Sequence, residues 1–206
     1  QKRTQLNLEA GHKAQGSAAY EAAFDYFGMA LSLLEADCWQ QRYSTTLELH
    51  EARAEAAYLT GQFEAMERNI DQVLNHAKNK LDCTKVYEIK IQAHMAQQQG
   101  LESLMTGIDF LSQLDLEVPE SPKVEDIQVE IANVEKAMAG KKISDLAELP
   151  LMSDRTQIAK VVILVQLLAP CYQIKPELFP WVTCKFTQLS IQYGNTSQSA
   201  CIYSTY

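Results

Sequence analysis

The sequence predicts an all-α protein in which consecutive helices pair as antiparallel hairpins. Three observations support this fold class. Good helix formers dominate the composition, and 206 residues contain only eight glycines and six prolines. Apolar residues recur at three- and four-residue spacing through most of the chain. Short breaks that contain glycine separate these periodic segments, so we expect helices joined by tight connections.

The second predicted helix carries the clearest packing pattern. Ala23 and Ala30, with Phe27 between them, form one helix face that lets a neighbouring helix approach closely. Gly11 lies twelve residues before Ala23, where a preceding antiparallel helix would need a residue without a side chain. The pattern is similar to the packing signature of tetratricopeptide-type hairpins, repeats that usually bind partners rather than catalyse reactions.

Two further hairpins follow the first. Met66, Ile70 and Val73 repeat its inner face in the second hairpin, and a third hairpin ends before residue 115. We align the third face through Leu104, Ile108 and Leu111, which gives separations of 43 and 38 residues and therefore irregular repeats. The six predicted helices cover residues 6–16, 18–35, 37–60, 64–81, 84–99 and 101–114, with breaks at Gly16, Gly61 and Gly100.

Pro119 and Pro122 mark a linker over residues 116–123, because two prolines exclude a continuous helix. Residues 1–115 are then three hairpins, and residues 124–206 are further helices of the same right-handed superhelical solenoid. We predict these helical segments over 124–139, 143–149, 154–168 (ended by Pro170) and 176–193. The chain begins without methionine and ends in an apolar helical pattern over 199–206, so we expect a truncated fragment of a longer protein.

Charge and cysteine content narrow the class of protein. A net charge of −8 argues against a nucleic-acid-binding module, which would carry a basic face. Five cysteines without a CxxC pair indicate reduced thiols in a cytoplasmic protein. The most apolar segment, residues 158–168, is too short to cross a bilayer, so we expect no membrane association.

The sequence contains no arrangement of residues that predicts catalysis. The four histidines never pair at metal-ligand spacing, and no nucleophile elbow or glycine-rich phosphate loop is present. We therefore expect no cofactor, no metal and no enzymatic activity in this segment.

One helix face is a candidate for binding a protein partner. Its carboxylates and tyrosine recur at three- and four-residue spacing on the first helix of the second hairpin, and first helices line the concave surface of such repeats. This face could receive a basic peptide or helix through charge-assisted hydrogen bonds. The alternative is an ordinary solvated face with Arg42 and Arg53 nearby. The residues of this acidic stripe are Glu48, Glu51, Glu55 and Tyr58.

Residues 47–63, 85–93 and 189–195 resemble the helical-repeat region of large multi-domain signalling kinases that are common in cyanobacteria. In that family a serine/threonine kinase domain and a STAND-type, AAA-like ATPase precede the repeats, and a GAF domain and a histidine kinase follow them. The resemblance implies a non-catalytic scaffold or sensor segment that contacts proteins or adjacent domains. Two other interpretations stay open: the sensor arm of a STAND-type transcription regulator, and a free-standing peptide-binding tetratricopeptide adaptor.

Overall fold

The computed structural model describes residues 2–199 and Tyr203, and within them the regular structure is helical, without a β-strand. The predicted all-α class is therefore confirmed. Short 3-10 turns occupy Lys80–Cys83, Ile143–Glu148 and Pro176–Leu178. The α-helices are α1 (Lys2–Gly16), α2 (Tyr20–Ser32), α3 (Cys38–Gln41), α4 (Tyr43–Leu59), α5 (Phe63–His76), α6 (Thr84–Ala96), α7 (Gly100–Gln113), α8 (Val124–Met138), α9 (Arg155–Ile174) and α10 (Phe179–Tyr193).

The chain divides into two compact units, Gln1–Ile89 and Lys90–Tyr206, and the division falls within α6. The segment 116–123 contains no helix, as its two prolines predict. The wider domain limits drawn at this linker stay a prediction. The incomplete helix predicted over residues 199–206 lies outside the described residues, except for Ser199 and Tyr203.

In the first unit, α1 packs on α2, α2 on α4, and α4 on α5. Gly11 of α1 is buried against the ring of Phe27, and a Cβ at Gly11 would overlap that ring. The face predicted on α2 is completely buried at Ala23, Phe27 and Ala30. On α5, the equivalent buried face contains Met66, Ile70 and Val73.

Three hairpin turns share one backbone conformation. Ala18, Gly61 and Gln98 have left-handed φ values of 57°, 72° and 61°, at offsets of 43 and 37 residues. The next residue in each turn has φ between −86° and −98° and ψ between 60° and 66°. Its N–H donates to the carbonyl five residues earlier, with N···O distances of 2.9, 2.8 and 2.8 Å at Ala19, Gln62 and Gln99.

These turns shift the predicted register of the third hairpin by one residue. They align Phe27 with Ile70 and with Gly107. Leu104 and Leu111 of the predicted face are completely buried, but Ile108 is half-buried. The buried face of α7 also includes Ser103, Gly107 and Phe110. The break predicted at Gly100 is also displaced, since Gly100 begins α7 and the left-handed residue is Gln98. Leucine periodicity alone does not distinguish these two registers.

The same alignment shows a reversal of residue size across the hairpin contact. The first hairpin places Gly11 against Phe27, whereas in the third a Cβ at Gly107 would lie 3.2 Å from Ile91 Cδ1 and 2.5 Å from Leu167 Cδ2. The glycine thus lies on the first helix of the first hairpin and on the second helix of the third, where it also makes room for Leu167 of α9.

Two predicted helices are shorter or interrupted in the structure. The helix predicted over 37–60 breaks at Arg42, whose φ is −139°, and Trp39 of the short α3 is buried against α4 and α5. The helix predicted over 64–81 ends at His76, because Ala77 is extended and the Asn79 side chain caps the following 3-10 turn.

The prediction that Pro170 ends its helix is wrong. α9 continues to Ile174 with Pro170 inside it, and buried Leu167, Pro170 and Cys171 pack the turns around the missing N–H. The resulting helix has 20 residues. Its most apolar 18-residue stretch has a mean hydropathy of 1.5, and 39% of that stretch is buried. Its length and composition suffice to cross a membrane, although core helices of soluble proteins meet the same criteria. Our exclusion of a membrane span by length therefore does not hold.

In the second unit, α9 packs on α7 and α10, and α8 packs on α10. Lys185 of α10 and Glu130 of α8 form a largely buried ion pair with an N–O distance of 2.7 Å. Asn195 follows α10 and is held by the backbone of 150–152 through bonds of 2.8 Å to Pro150 O and from Met152 N.

Candidate functional site

The acidic stripe lies on α4 in the first unit, and the structure places its four residues one helical turn apart. Glu48 is exposed, whereas Glu51, Glu55 and Tyr58 are half-buried. The stripe is formed because residues three or four positions apart share one helix face. It is flanked by side chains of α1 and α6, so it is a surface shared by three helices rather than an isolated helix face.

Helix α1 contributes two polar contacts to the stripe. His12 Nε2 lies 2.9 Å from Glu48 Oε1, an ion pair when the imidazole is protonated. Gln15 Nε2 donates to Glu55 Oε2 at 2.7 Å. His12 also packs edge-on against the ring of Phe27, at 5.3 Å between centroids. Phe27, which packs α2 against α1, therefore also positions the His12 side chain of the candidate site.

Helix α6 contributes a cation. Lys85 Nζ lies 2.7 Å from Glu55 Oε1 and 3.4 Å from Glu88 Oε2. Burial opposes the charge of Lys85, but the hydrogen bond to Glu55 and the nearby Glu88 raise its pKa overall. Lys85 neutralises the Glu55 end of the stripe, a role that the sequence analysis missed. The three-residue spacing of Lys85 and Glu88 indicates only the pair within α6, and the contact with Glu55 depends on the packing of α6 beside α4.

Glu51 lies between these two contacts and differs from both neighbouring carboxylates. Among the described residues it has no hydrogen-bond or ion-pair partner. Burial raises the pKa of Glu51 to about 7; Lys85 lowers it, and the carboxylates of Asp82, Glu48 and Glu55 raise it further. The site thus holds a carboxyl group that changes charge near neutral pH and lacks a cation of its own.

The two arginines expected near the stripe do not neutralise its negative charge. Arg53 lies two residues from both Glu51 and Glu55, and on a helix that separation points side chains to opposite sides. Its guanidinium Cζ stands 4.4 Å from the centroid of the Phe24 ring on α2. Arg42 occupies the break between α3 and α4. Lys85 and His12 are the cations that contact the stripe.

A stack of aromatic rings beside α4 was also missed from sequence. Trp39 lies between His50 and His76, with centroid distances of 5.4 and 4.7 Å and interplanar angles of 5° and 2°. Asn69 Nδ2 donates to Ala65 O, which leaves Asn69 Oδ1 to accept from His50 Nδ1 at 2.9 Å. Burial lowers the pKa of His50, so the stack contains a neutral imidazole at physiological pH.

The described residues contain no group of three or more histidine, cysteine or acidic side chains that could hold a metal ion. Cys38, Cys83, Cys171 and Cys184 are free thiols, and Cys201 lies outside the described residues. Burial raises the pKa of Cys171 to about 12, which keeps that thiol protonated.

Comparison with known proteins gives one similarity and two negative results. The chain is 20% identical, over 152 residues, to the hybrid signal transduction histidine kinase G of Dictyostelium discoideum. That match covers 69% of the chain and 4% of the kinase, so the chain spans only a small fraction of this relative. No protein-family model matches, and no solved structure gives a significant match. The similarity is weak, and it links the helical chain to a signalling protein.

Proposed function

We propose that this chain is a non-catalytic helical-repeat scaffold or sensor segment of a multi-domain, cytoplasmic signalling kinase. The observation that carries the proposal is the similarity to a hybrid histidine kinase, 4% of whose length corresponds to the matched part. A segment of that size with an all-helical fold has the character of a connecting or sensing region. The kinase activity would belong to other parts of such a protein.

The shared turn conformation supports a tetratricopeptide-like repeat. The left-handed residues at positions 18, 61 and 98 end the first helix of each hairpin in the same way. In the proposed solenoid, the first helices α1, α4 and α6 form the inner surface and the second helices the outer one. The acidic stripe of α4, with His12 and Lys85 on its two sides, is then part of the inner surface.

The stripe is proposed to bind a basic helix or peptide of a partner protein or of an adjacent domain. Glu51 supplies the carboxylate that binds the partner, because it has no intramolecular partner among the described residues. Glu55, by contrast, already forms an ion pair with Lys85. A lysine or arginine of the partner would form a charge-assisted hydrogen bond with it. Since the pKa of Glu51 is about 7, binding a cation there releases a proton and is favoured by alkaline pH.

The test is charge reversal on the stripe. The Glu48→Lys, Glu51→Lys, Glu55→Lys variant should lose the basic partners that the wild-type chain retains from lysate of the producing cells, while its far-UV circular dichroism stays unchanged. The control reverses Glu21, Glu35 and Glu64, which are exposed and lie elsewhere in the first unit, and it makes the same change in net charge. Equal recovery of the same partners by both variants would contradict the proposed role of the stripe.

A further inference from the structure

Arg53 lies on the side of α4 away from the acidic stripe, and its side chain is held there by packing against α2. Its guanidinium covers the Phe24 ring, with Cζ 4.4 Å from the ring centroid. One turn further along α2, a Cβ on Gly28 would stand 3.1 Å from Nη2 and 3.4 Å from Nε of Arg53. The absence of a side chain at Gly28 therefore makes room for the guanidinium, which lies flat along α2.

This guanidinium has no acceptor. Its Nε is buried and makes no hydrogen bond, and the described residues provide neither a hydrogen bond nor an ion pair to the rest of the group. Burial lowers the pKa of Arg53, with a further decrease from Arg68 of α5 and an opposing effect of Asp25 of α2. An arginine stays charged in proteins. The fold thus holds a cation that is partly removed from water and that no described carboxylate pairs with directly, although Asp25 is near enough to favour its charge.

The lack of a partner is notable because the chain is acidic. It has 26 acidic side chains, all in the described part, and none accepts a hydrogen bond from Arg53. By contrast, Lys85 and Lys185 each pair with a glutamate at 2.7 Å. Nε is the one guanidinium nitrogen that is sealed from solvent, so a carboxylate arriving from outside would pair with the two Nη atoms, which are also without a hydrogen bond in the described residues.

We infer that Arg53 receives a carboxylate from an acidic segment of a partner protein, at the surface where α2 and α5 flank α4. The planar guanidinium matches a carboxylate group, and the aromatic face beneath it adds apolar contact. Arg68 adds positive charge nearby, although Glu64 lies 4.0 Å from it. Asp25 raises the cost of a dianion, so a singly charged carboxylate fits better than a phosphate.

This surface goes beyond the proposed function of the acidic stripe. The two lie on opposite sides of α4 and select partners of opposite charge. A partner segment with glutamates or aspartates would bind at Arg53, while a basic segment would bind at the stripe. One repeat helix would then hold two different sequences at once.

The test uses the full chain labelled with ¹⁵N-arginine and follows the Nε–Hε resonance of Arg53 by nuclear magnetic resonance. The probe is a hexaglutamate peptide, with inorganic phosphate as the comparison. We expect hexaglutamate to shift the Arg53 resonance saturably, at lower concentration than phosphate and with smaller shifts at the other arginines. Absence of a saturable shift, or tighter binding of phosphate, would overturn the inference.

Two substitutions extend the same test. Arg53→Met should weaken hexaglutamate binding about tenfold, as expected for the loss of one charge-assisted pair. Arg3→Met removes the same charge from an exposed position and should leave affinity nearly unchanged. If Arg53→Met fails to fold, the Arg53→Lys variant keeps the charge without the planar fork and should still weaken binding. Equal affinity of the folded Arg53 variant and Arg3→Met would contradict a specific site.

Discussion

At the scale of single residues, the contact between Gly11 and Phe27 shows how one position sets the distance between two helices. Any Cβ at position 11 would overlap the Phe27 ring, which is completely buried and cannot move into solvent. A glycine within a helix lowers helix propensity, so this position gives up local stability for close packing.

We therefore expect Gly11→Ala to reduce the free energy of unfolding by about 1–3 kcal/mol, the usual cost of overpacking a core. Phe27→Leu should restore part of this loss in the double variant, because the smaller side chain removes the overlap. Gly16→Ala is the control, since nothing lies within 4 Å of a Cβ there. Urea unfolding of the wild type, the two single variants, the double variant and the Gly16→Ala control measures these effects. Additive losses in the double variant would show that the two residues do not oppose each other.

Glu51 gives a residue-scale prediction about pH. Its pKa of about 7 in the folded protein exceeds the ordinary value of 4.5, so the folded state holds a proton that the unfolded chain releases between these values. The stabilisation from this group is complete below pH 4.5 and is lost as the pH rises through 7.

Glu51→Gln should consequently stabilise the protein at pH 8 relative to the wild type and change little at pH 4.5. The expected gain is on the order of 1 kcal/mol, because solvent screens part of the effect of a half-buried group. Glu35→Gln, at an exposed position, serves as the control and should show no such pH dependence. Thermal unfolding at both pH values measures the difference, and an equal effect at both would contradict a raised pKa.

At the scale of elements, the three turns perform the same task with different residues. Only the second places glycine at the left-handed position, while Ala18 and Gln98 adopt a conformation that is strained for residues with a Cβ.

Ala18→Gly and Gln98→Gly should each stabilise the protein by up to about 1 kcal/mol, and Gly61→Ala should destabilise it by a similar amount. Chemical denaturation of the three variants checks the signs. Stabilisation by Gly61→Ala, or destabilisation by both glycine substitutions, would show that the turns are not equivalent.

The elements also show what the sequence could predict. Periodicity indicated the helices, glycine marked the turn itself only at Gly61, and the small residues of α2 predicted its buried face, because these signals are local. Three features depend on contacts distant in sequence and were not predictable in this way. Trp39 breaks a helix by packing against His50 and His76, α9 passes through Pro170, and Gly107 sets the register of α7 through Leu167 and Ile91.

In the candidate site, too, the local pattern was predictable from the sequence and the contacts between distant residues were not. The stripe on α4 follows from helical spacing, but its charge balance depends on His12 and Lys85, which lie 36 and 30 residues from their glutamate partners. Arg53 lies on the same helix as the stripe, and its sequence position alone suggested the wrong role. The packing of Phe24 and Gly28 of α2 against it gives the different one.

At the scale of the whole molecule, the proposed function requires that this segment work inside a much larger protein. Its charged surfaces would connect neighbouring domains or hold partners of opposite charge, and catalysis would take place elsewhere. The alternatives differ in size and neighbours: a transcription regulator would carry a DNA-binding domain, and an adaptor would consist of repeats alone.

The most direct test of the central proposal is the size of the native protein, measured by immunoblot of the producing cells with an antibody against this segment. We predict a band far above 23.2 kDa, the mass of this chain, and mass spectrometry of that band should identify GAF and kinase sequences. A band near 23.2 kDa would contradict a segment of a multi-domain kinase and would favour a free-standing adaptor.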